Sequence, residues 1–115
     1  MSYMLLIVEP LGQRADRSLQ EGRDTYQRML DYAESLRSQG VLVECNSLNR
    51  NAVRLNKQAG KTVITDGPFT EAKELVGGFF LLNCETREEA LRHAQQCPAA
   101  EWATIEVRGV GPCYE

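Results

Sequence analysis

Apolar positions in this chain recur with two different periods, and each period marks its own kind of element. Tyr3 to Val8 (YMLLIV) and residues 79–83 (FFLLN) form near-continuous apolar runs, the pattern of strands buried on both faces. Ala103, Ile105 and Val107 instead alternate with Thr104, Glu106 and Arg108, which predicts a half-buried strand. Over Arg23–Gln39 the period lengthens. Tyr26, Met29, Leu30, Ala33 and Leu36 fall on one helical face, with Arg28, Asp31, Glu34 and Arg37 largely on the other. Gly40 supplies a helix C-cap, and Val41-Leu42-Val43 begins a strand that fades near Leu48.

The remaining segments read more briefly. Residues 9–22 (EPLGQRADRSLQEG) are polar and hold Pro10, Gly12 and Gly22, predicting a loop with a short turn of helix. Val53–Asn56 and Thr62–Thr65 flank residues 57–61 (KQAGK), the signature of a β-hairpin. Thr86 and Glu89 have the spacing of a capping box. The helix they open carries Ala90, Leu91 and Ala94 inward, and Pro98 stops it.

The order is therefore β-α-β, a hairpin insertion, then β-α-β. That is an α+β fold of the ferredoxin-like, split βαβ kind: an antiparallel sheet with an inserted β-hairpin and two helices on one face. The first and third main strands are central in that plan, and the two continuous apolar runs occupy those places. Two helices cover one face only, yet both central strands are apolar on both. A homodimer stacking sheet on sheet would bury the second face; the alternative is that the hairpin folds across it.

Composition narrows the function classes. A chain of 115 residues is one domain. Its net charge of −3 comes from interleaved acids and bases, with no basic footprint for nucleic acid and no polybasic stripe for a membrane. The N-terminal apolar run is too short for a signal-peptide core or a span, so a cytoplasmic protein is expected. Four cysteines without a C-x-x-C pair, and the single His93, predict free thiols and no metal site. No glycine pattern matches a phosphate-binding loop, and no cofactor is expected.

Candidate chemistry gathers in residues 65–80, TDGPFTEAKELVGGFF. Asp66 either accepts backbone N–H groups in a turn or serves as a ligand anchor or proton-transfer group. In the turn reading Gly67 supplies a permissive backbone and Pro68 sets the exit direction. Phe69, Phe79 and Phe80 read as core or pocket wall, and Lys73 is the cation placed to meet an anionic ligand. Gly77 and Gly78 allow either close approach of a ligand or a twist of the strand. On the first helix, Tyr26 and Met29 sit on the apolar face; Tyr32 lies off it and reaches a cleft or a dimer partner. An apolar pocket between this helix, the sheet and the Asp66 loop would suit a small organic ligand.

Four stretches also carry a resemblance: YMLLIVEP, GVLVE, KTVITDGPFTEAKELVGGFFLLN and EALRHAQQCPAAEWATIEVRGV. In order and spacing, over nearly the whole chain, they resemble the YCII-related, DGPF-type family. The resemblance implies bacterial proteins of the dimeric ferredoxin-like α/β-barrel type, mostly without an assigned function. It also implies association with extracytoplasmic-function sigma factors and, in some relatives, an acid/base pair of a helix-1 histidine and an aspartate. Counted back from Gly40, that histidine position is Met29 here, while Asp66 is retained. Three readings follow: a small-ligand-binding protein with its pocket near Asp66, a regulatory module for a sigma factor, or a weak acid/base enzyme lacking the histidine.

Overall fold

The first apolar run lies within strand β1 (Ser2–Pro10) and the second within β5 (Glu74–Asn83). In the computed structural model, which describes residues 2–67, 69 and 71–114, these two pair antiparallel at the centre of the main sheet. Strand β2 (Leu42–Ser47) flanks β5, and β6 (Thr104–Gly109) flanks β1, giving the order β2-β5-β1-β6. Helix α1 (Leu19–Ser38) connects β1 to β2, and α2 (Arg87–Gln95) connects β5 to β6. This is the expected ferredoxin-like α+β arrangement. The inserted hairpin, β3 (Val53–Gln58) and β4 (Lys61–Asp66), forms a two-stranded sheet of its own.

Strand alternation divides the apolar residues between two faces. Leu5, Ile7, Phe80 and Leu82 point to the helices and pack with Tyr32, Ala33 and Leu36 of α1 and Ala90 and Ala94 of α2. Met4, Leu6 and Val8 pair with Leu81, Phe79 and Val76 across the other face. Among the described residues no helix covers that side, and Val76 is 43% exposed. The hairpin does not fold across it either: every position of β3 is exposed, including Val53 and Leu55. The hairpin stands clear of the body, and the radius of gyration is 16.0 Å against about 13 Å for a compact domain of this length.

Three local expectations are corrected. Helix α1 begins at Leu19, so the predicted loop over 9–22 ends early. Ser18 Oγ accepts the Glu21 N–H at 3.1 Å, and Gly22 lies inside the helix. The segment Ser18-Leu19-Gln20-Glu21 has the spacing of a capping box, a signal that the two glycines obscured. A 3₁₀ turn at Gln13–Asp16 precedes it.

The buried face of α1 is Tyr32, Ala33 and Leu36, whereas Tyr26 is 53% exposed. The helix lies on the sheet over its C-terminal half, and its first half rides off it. In α2, His93 takes the inward place and Leu91 turns outward, because steps of three and four from Ala90 lead to 93 and 94.

The helix ends follow their chemistry. Gly40, at φ 75°, terminates α1, with Val41 N–H bonded to Leu36 O at 3.1 Å and Gly40 N–H to Arg37 O at 3.0 Å, a Schellman arrangement. Thr86 Oγ1 accepts the Glu89 N–H at 3.1 Å, and the Glu89 carboxylate returns to Glu85 N–H rather than to Thr86.

Candidate functional site

A break in strand pairing builds the site. Ile7 faces Gly78 but Val8 faces Val76, so Gly77 is an extra residue in β5, a β-bulge. The alternation of β1 turns Glu9 inward with Leu5 and Ile7, and its side chain lies over Gly77. A Cβ on Gly77 would fall 2.0 Å from Glu9 Oε1 and 2.8 Å from Arg14 Nη2. Glycine is required there for space, so that the sheet can cradle a carboxylate.

Arg14, on the 3₁₀ turn, closes over Glu9. Its Nη2 lies 2.6 Å from Glu9 Oε1, while its directed hydrogen bonds go to Leu48 O at 2.7 Å and Gly77 O at 3.1 Å. The Glu9 contact is thus one of charge and proximity, and among the described residues Oε1 receives no hydrogen bond of suitable angle. Glu9 is 4% exposed. A buried carboxylate oxygen with spare acceptor capacity is uncommon and calls for an explanation.

Two cavities share this pair as a wall. One, of about 610 Å³, is a slot between the first half of α1 and the helix-side face of the sheet; Ile7, Tyr26, Met29, Phe80 and Trp102 are among its lining. The other, of about 950 Å³, lies at the base of the hairpin and includes Asp66, Gly67 and Phe69. Trp102, the only tryptophan of the chain, is flanked by the guanidinium groups of Arg17 and Arg28, 5.7 and 5.3 Å from its ring centre. An exposed ion pair of Arg28 with Glu101 braces that corner. The hydrogen bond from Arg28 holds the Glu101 carboxyl below its ordinary range.

The candidate residues from the sequence divide between these places. Asp66 is exposed at the end of β4 and lines the larger cavity. Among the described residues no hydrogen bond or ion pair holds its carboxylate. Gly67 does not use a left-handed backbone: its N–H bonds Ala52 O at 3.0 Å, and a Cβ would come within 3.1 Å of that oxygen. Pro68 lies outside the described residues. Phe69 lies in the larger cavity with the Arg54 guanidinium 3.9 Å from its ring centre.

Lys73, expected to meet a ligand, is exposed and lines neither cavity; its carbonyl accepts the Leu11 N–H at 2.9 Å. Gly78 borders the slot, but what approaches it is backbone: a Cβ would lie 2.9 Å from Asn46 O.

Tyr26 and Met29 line the slot as a pair on α1. Tyr32 does not reach a cleft. It is in the core, its hydroxyl donating to His93 O at 2.7 Å and its ring edge-on to Phe80 with centres 5.2 Å apart. Burial holds its phenol well above the ordinary value. Met29 and Asp66, the positions at which the resemblance implies an acid/base pair in some relatives, face different cavities.

Sequence reasoning missed Glu9 and Arg14. The available signal was a lone acid at the next inward position after Leu5 and Ile7, with a Gly-Gly pair in the strand opposite.

Cysteine and histidine spacing suggested no metal site, yet the fold brings donor atoms of Cys84, Glu89 and His93 within 4.8 Å of one another. These are three donors, one short of a closed tetrahedral zinc site. Burial raises the thiol pKa of Cys84 and pushes that of Cys97 up to about 11.

Fold and site together define a ferredoxin-like α+β protein with a slot beneath its first helix. The YCII-related domain family matches residues 1–113, and the chain belongs to that family. An uncharacterized protein of Rhizobium meliloti (strain 1021) is 42% identical over 59 residues, 50% of this chain and 48% of that one. The aligned part is thus about half of that relative's length. Among solved structures, 5-chloro-2-hydroxyhydroquinone dehydrochlorinase (TftG) of Burkholderia phenoliruptrix AC1100, in complex with 2,5-dihydroxybenzoquinone, is similar with a TM-score of 0.55. The match covers 96% of this chain and 94% of that one at 18% identity, a likeness of fold. Among the described residues, no helix is long and apolar enough to cross a membrane.

Proposed function

We propose that the protein binds a small organic ligand in the slot between α1 and the sheet, with the Glu9 carboxylate as its polar anchor, and that it does so as a homodimer. The observation that carries the reading is Glu9 itself. Its carboxylate is 4% exposed on the wall of a largely apolar cavity, and Oε1 receives no directed hydrogen bond. Arg14 Nη2, 2.6 Å from Oε1, supplies charge there without a well-aligned hydrogen bond, which leaves the carboxylate acceptor capacity that a ligand hydroxyl or N–H at the slot wall can use.

A volume of about 610 Å³ is within the range of small-molecule sites. The 2,5-dihydroxybenzoquinone bound by TftG is a hydroxylated ring of a size that such a slot holds. In this reading Asp66 belongs to the adjoining cavity, across the Glu9–Arg14 wall from the ligand.

The same carboxylate favours one further reading, proton transfer to or from the bound ligand. With Met29 at the histidine position, Glu9 is the carboxylate in the slot that would carry the proton. The dimer rests on the open sheet face, where Met4, Leu6, Val8, Phe79 and Leu81 form one apolar surface that stacking on a second copy would bury.

A thermal-shift screen of hydroxylated ring compounds on wild type, Glu9→Gln and Asp66→Ala tests the anchor. Compounds that raise the melting temperature of wild type and Asp66→Ala, but not of a folded Glu9→Gln, are the expected result. Stabilisation lost only in Asp66→Ala would move the ligand to the hairpin-base cavity and overturn the proposal.

A further inference from the structure

We infer that the ligand of the slot is an anion: a small organic acid whose apolar body lies against Met29, Phe80 and Trp102 and whose acidic group meets Arg17 and Arg23. The inference rests on the slot being the ligand site and adds the charge class of its occupant.

Charge carries the argument. The slot is lined by three arginines, Arg14, Arg17 and Arg23, and one acid, Glu9, an excess of two positive charges. The whole chain has the opposite balance, 13 basic against 16 acidic residues, so composition alone would not place a positive cavity here. Arg14 is matched by Glu9 at 2.6 Å, which leaves Arg17 and Arg23 as the surplus.

Among the described residues neither of these two has a carboxylate partner. Arg17 donates to the neutral Gln13 Oε1 at 3.1 Å and lies over Trp102, and Arg23 forms no ion pair. Arg17 is thus held in place by a neutral acceptor and an aromatic face, with its charge uncompensated. A guanidinium prepared in this way loses little freedom on meeting a carboxylate or a similar oxyanion. The apolar floor of the slot lowers the local dielectric and strengthens that attraction relative to water. The start of α1 borders the same slot through Ser18 and Leu19, and the helix dipole adds potential of the same sign. A neutral occupant would leave the surplus unmatched, and a cation would be repelled by it.

Trp102 is a built-in reporter, because it is the single tryptophan and lines the slot. The test titrates a panel of small aromatic acids (benzoate, 4-hydroxybenzoate, 3-phenylpropanoate) against the corresponding neutral carboxamides, following Trp102 emission in wild type and Arg23→Gln. The acids are expected to saturate about tenfold or more below their amides. That gap is expected to shrink in Arg23→Gln and in about 0.5 M sodium chloride, where charge attraction is screened. Amides that bind as tightly as the acids would overturn the charge class while leaving the slot a ligand site. No saturable change with any member of the panel would overturn both.

Discussion

Gly77 has no side chain to spare because Glu9 occupies the space that one would fill, with Oε1 2.0 Å from the position of a Cβ. Neither the carboxylate nor Arg14 is free to retreat: Glu9 is buried, and Arg14 is tied to Leu48 O and Gly77 O. Gly77→Ala is therefore expected to cost about 1–3 kcal/mol of stability, as overpacking does elsewhere, measured by urea unfolding. If the overlap with Glu9 is the cause, adding Glu9→Ala will return part of that loss. Strictly additive losses would show that the cradle is not the reason for the glycine. At this scale the sequence was legible where packing repeats a period and opaque where a polar atom is buried for a reason. Glu9 follows an apolar run and so resembles the end of a strand; the alternation of β1 turns it inward, but the room for its carboxylate depends on a bulge in β5 that only strand pairing reveals. Tyr32 was misassigned for a related reason, since which helical stripe is buried depends on where the helix lies on the sheet.

Elements were mostly readable from caps and turns, and the hairpin shows how far that goes. Its existence was visible between residues 53 and 65, but the five-residue loop expected at 57–61 is a two-residue turn. Ala59 and Gly60 both have positive φ, 51° and 79°, the backbone of the hairpin turns that favour Asn-Gly. Alanine in that region is strained, so Ala59→Asn is expected to stabilise the hairpin by about 1 kcal/mol. The measurement is amide hydrogen exchange across β3 and β4, where slower exchange is the expected outcome. Unchanged exchange would mean that the turn does not limit hairpin opening. Little of the effect should reach global unfolding, because the hairpin strands are exposed and add almost nothing to the core. Helix α1 teaches a related lesson: its capping box at Ser18–Glu21 was overlooked because Gly12 and Gly22 suggested a loop, and a single helical glycine costs only about 1 kcal/mol.

The molecule as a whole is flat, with extents of 47 × 42 × 18 Å, because one layer of helices lies on one sheet and, among the described residues, no element lies beneath it. The apolar open face follows from two central strands that are hydrophobic at consecutive positions. A mass of twice 12.9 kDa in solution at micromolar concentration is the expected outcome for wild type, and Leu6→Lys, at the centre of that face opposite Phe79, should shift it toward the single-chain mass. A wild-type chain that stays monomeric at tens of micromolar, roughly the range in which weak dimers assemble, would refute the stacking proposal.

Sequence alone determined the order of elements, the ferredoxin-like plan, the central position of its two apolar runs and the family. All of these are encoded in local periods, caps and motif spacing, which require no knowledge of what lies across the fold. Only the tertiary structure decided which polar groups share a space. It placed Glu9 over Gly77 and beneath Arg14, parted Met29 from Asp66 into adjoining cavities, and drew Arg17 and Arg23 to one slot. The contact of Glu9 with Gly77 joins residues far apart in the chain, and the other placements depend on a bulge, a helix offset and a strand register, none of which leaves a periodic trace. Within the motif from Thr65 to Phe80 it gave Gly77 a definite task, a missing side chain that makes room for a buried charge.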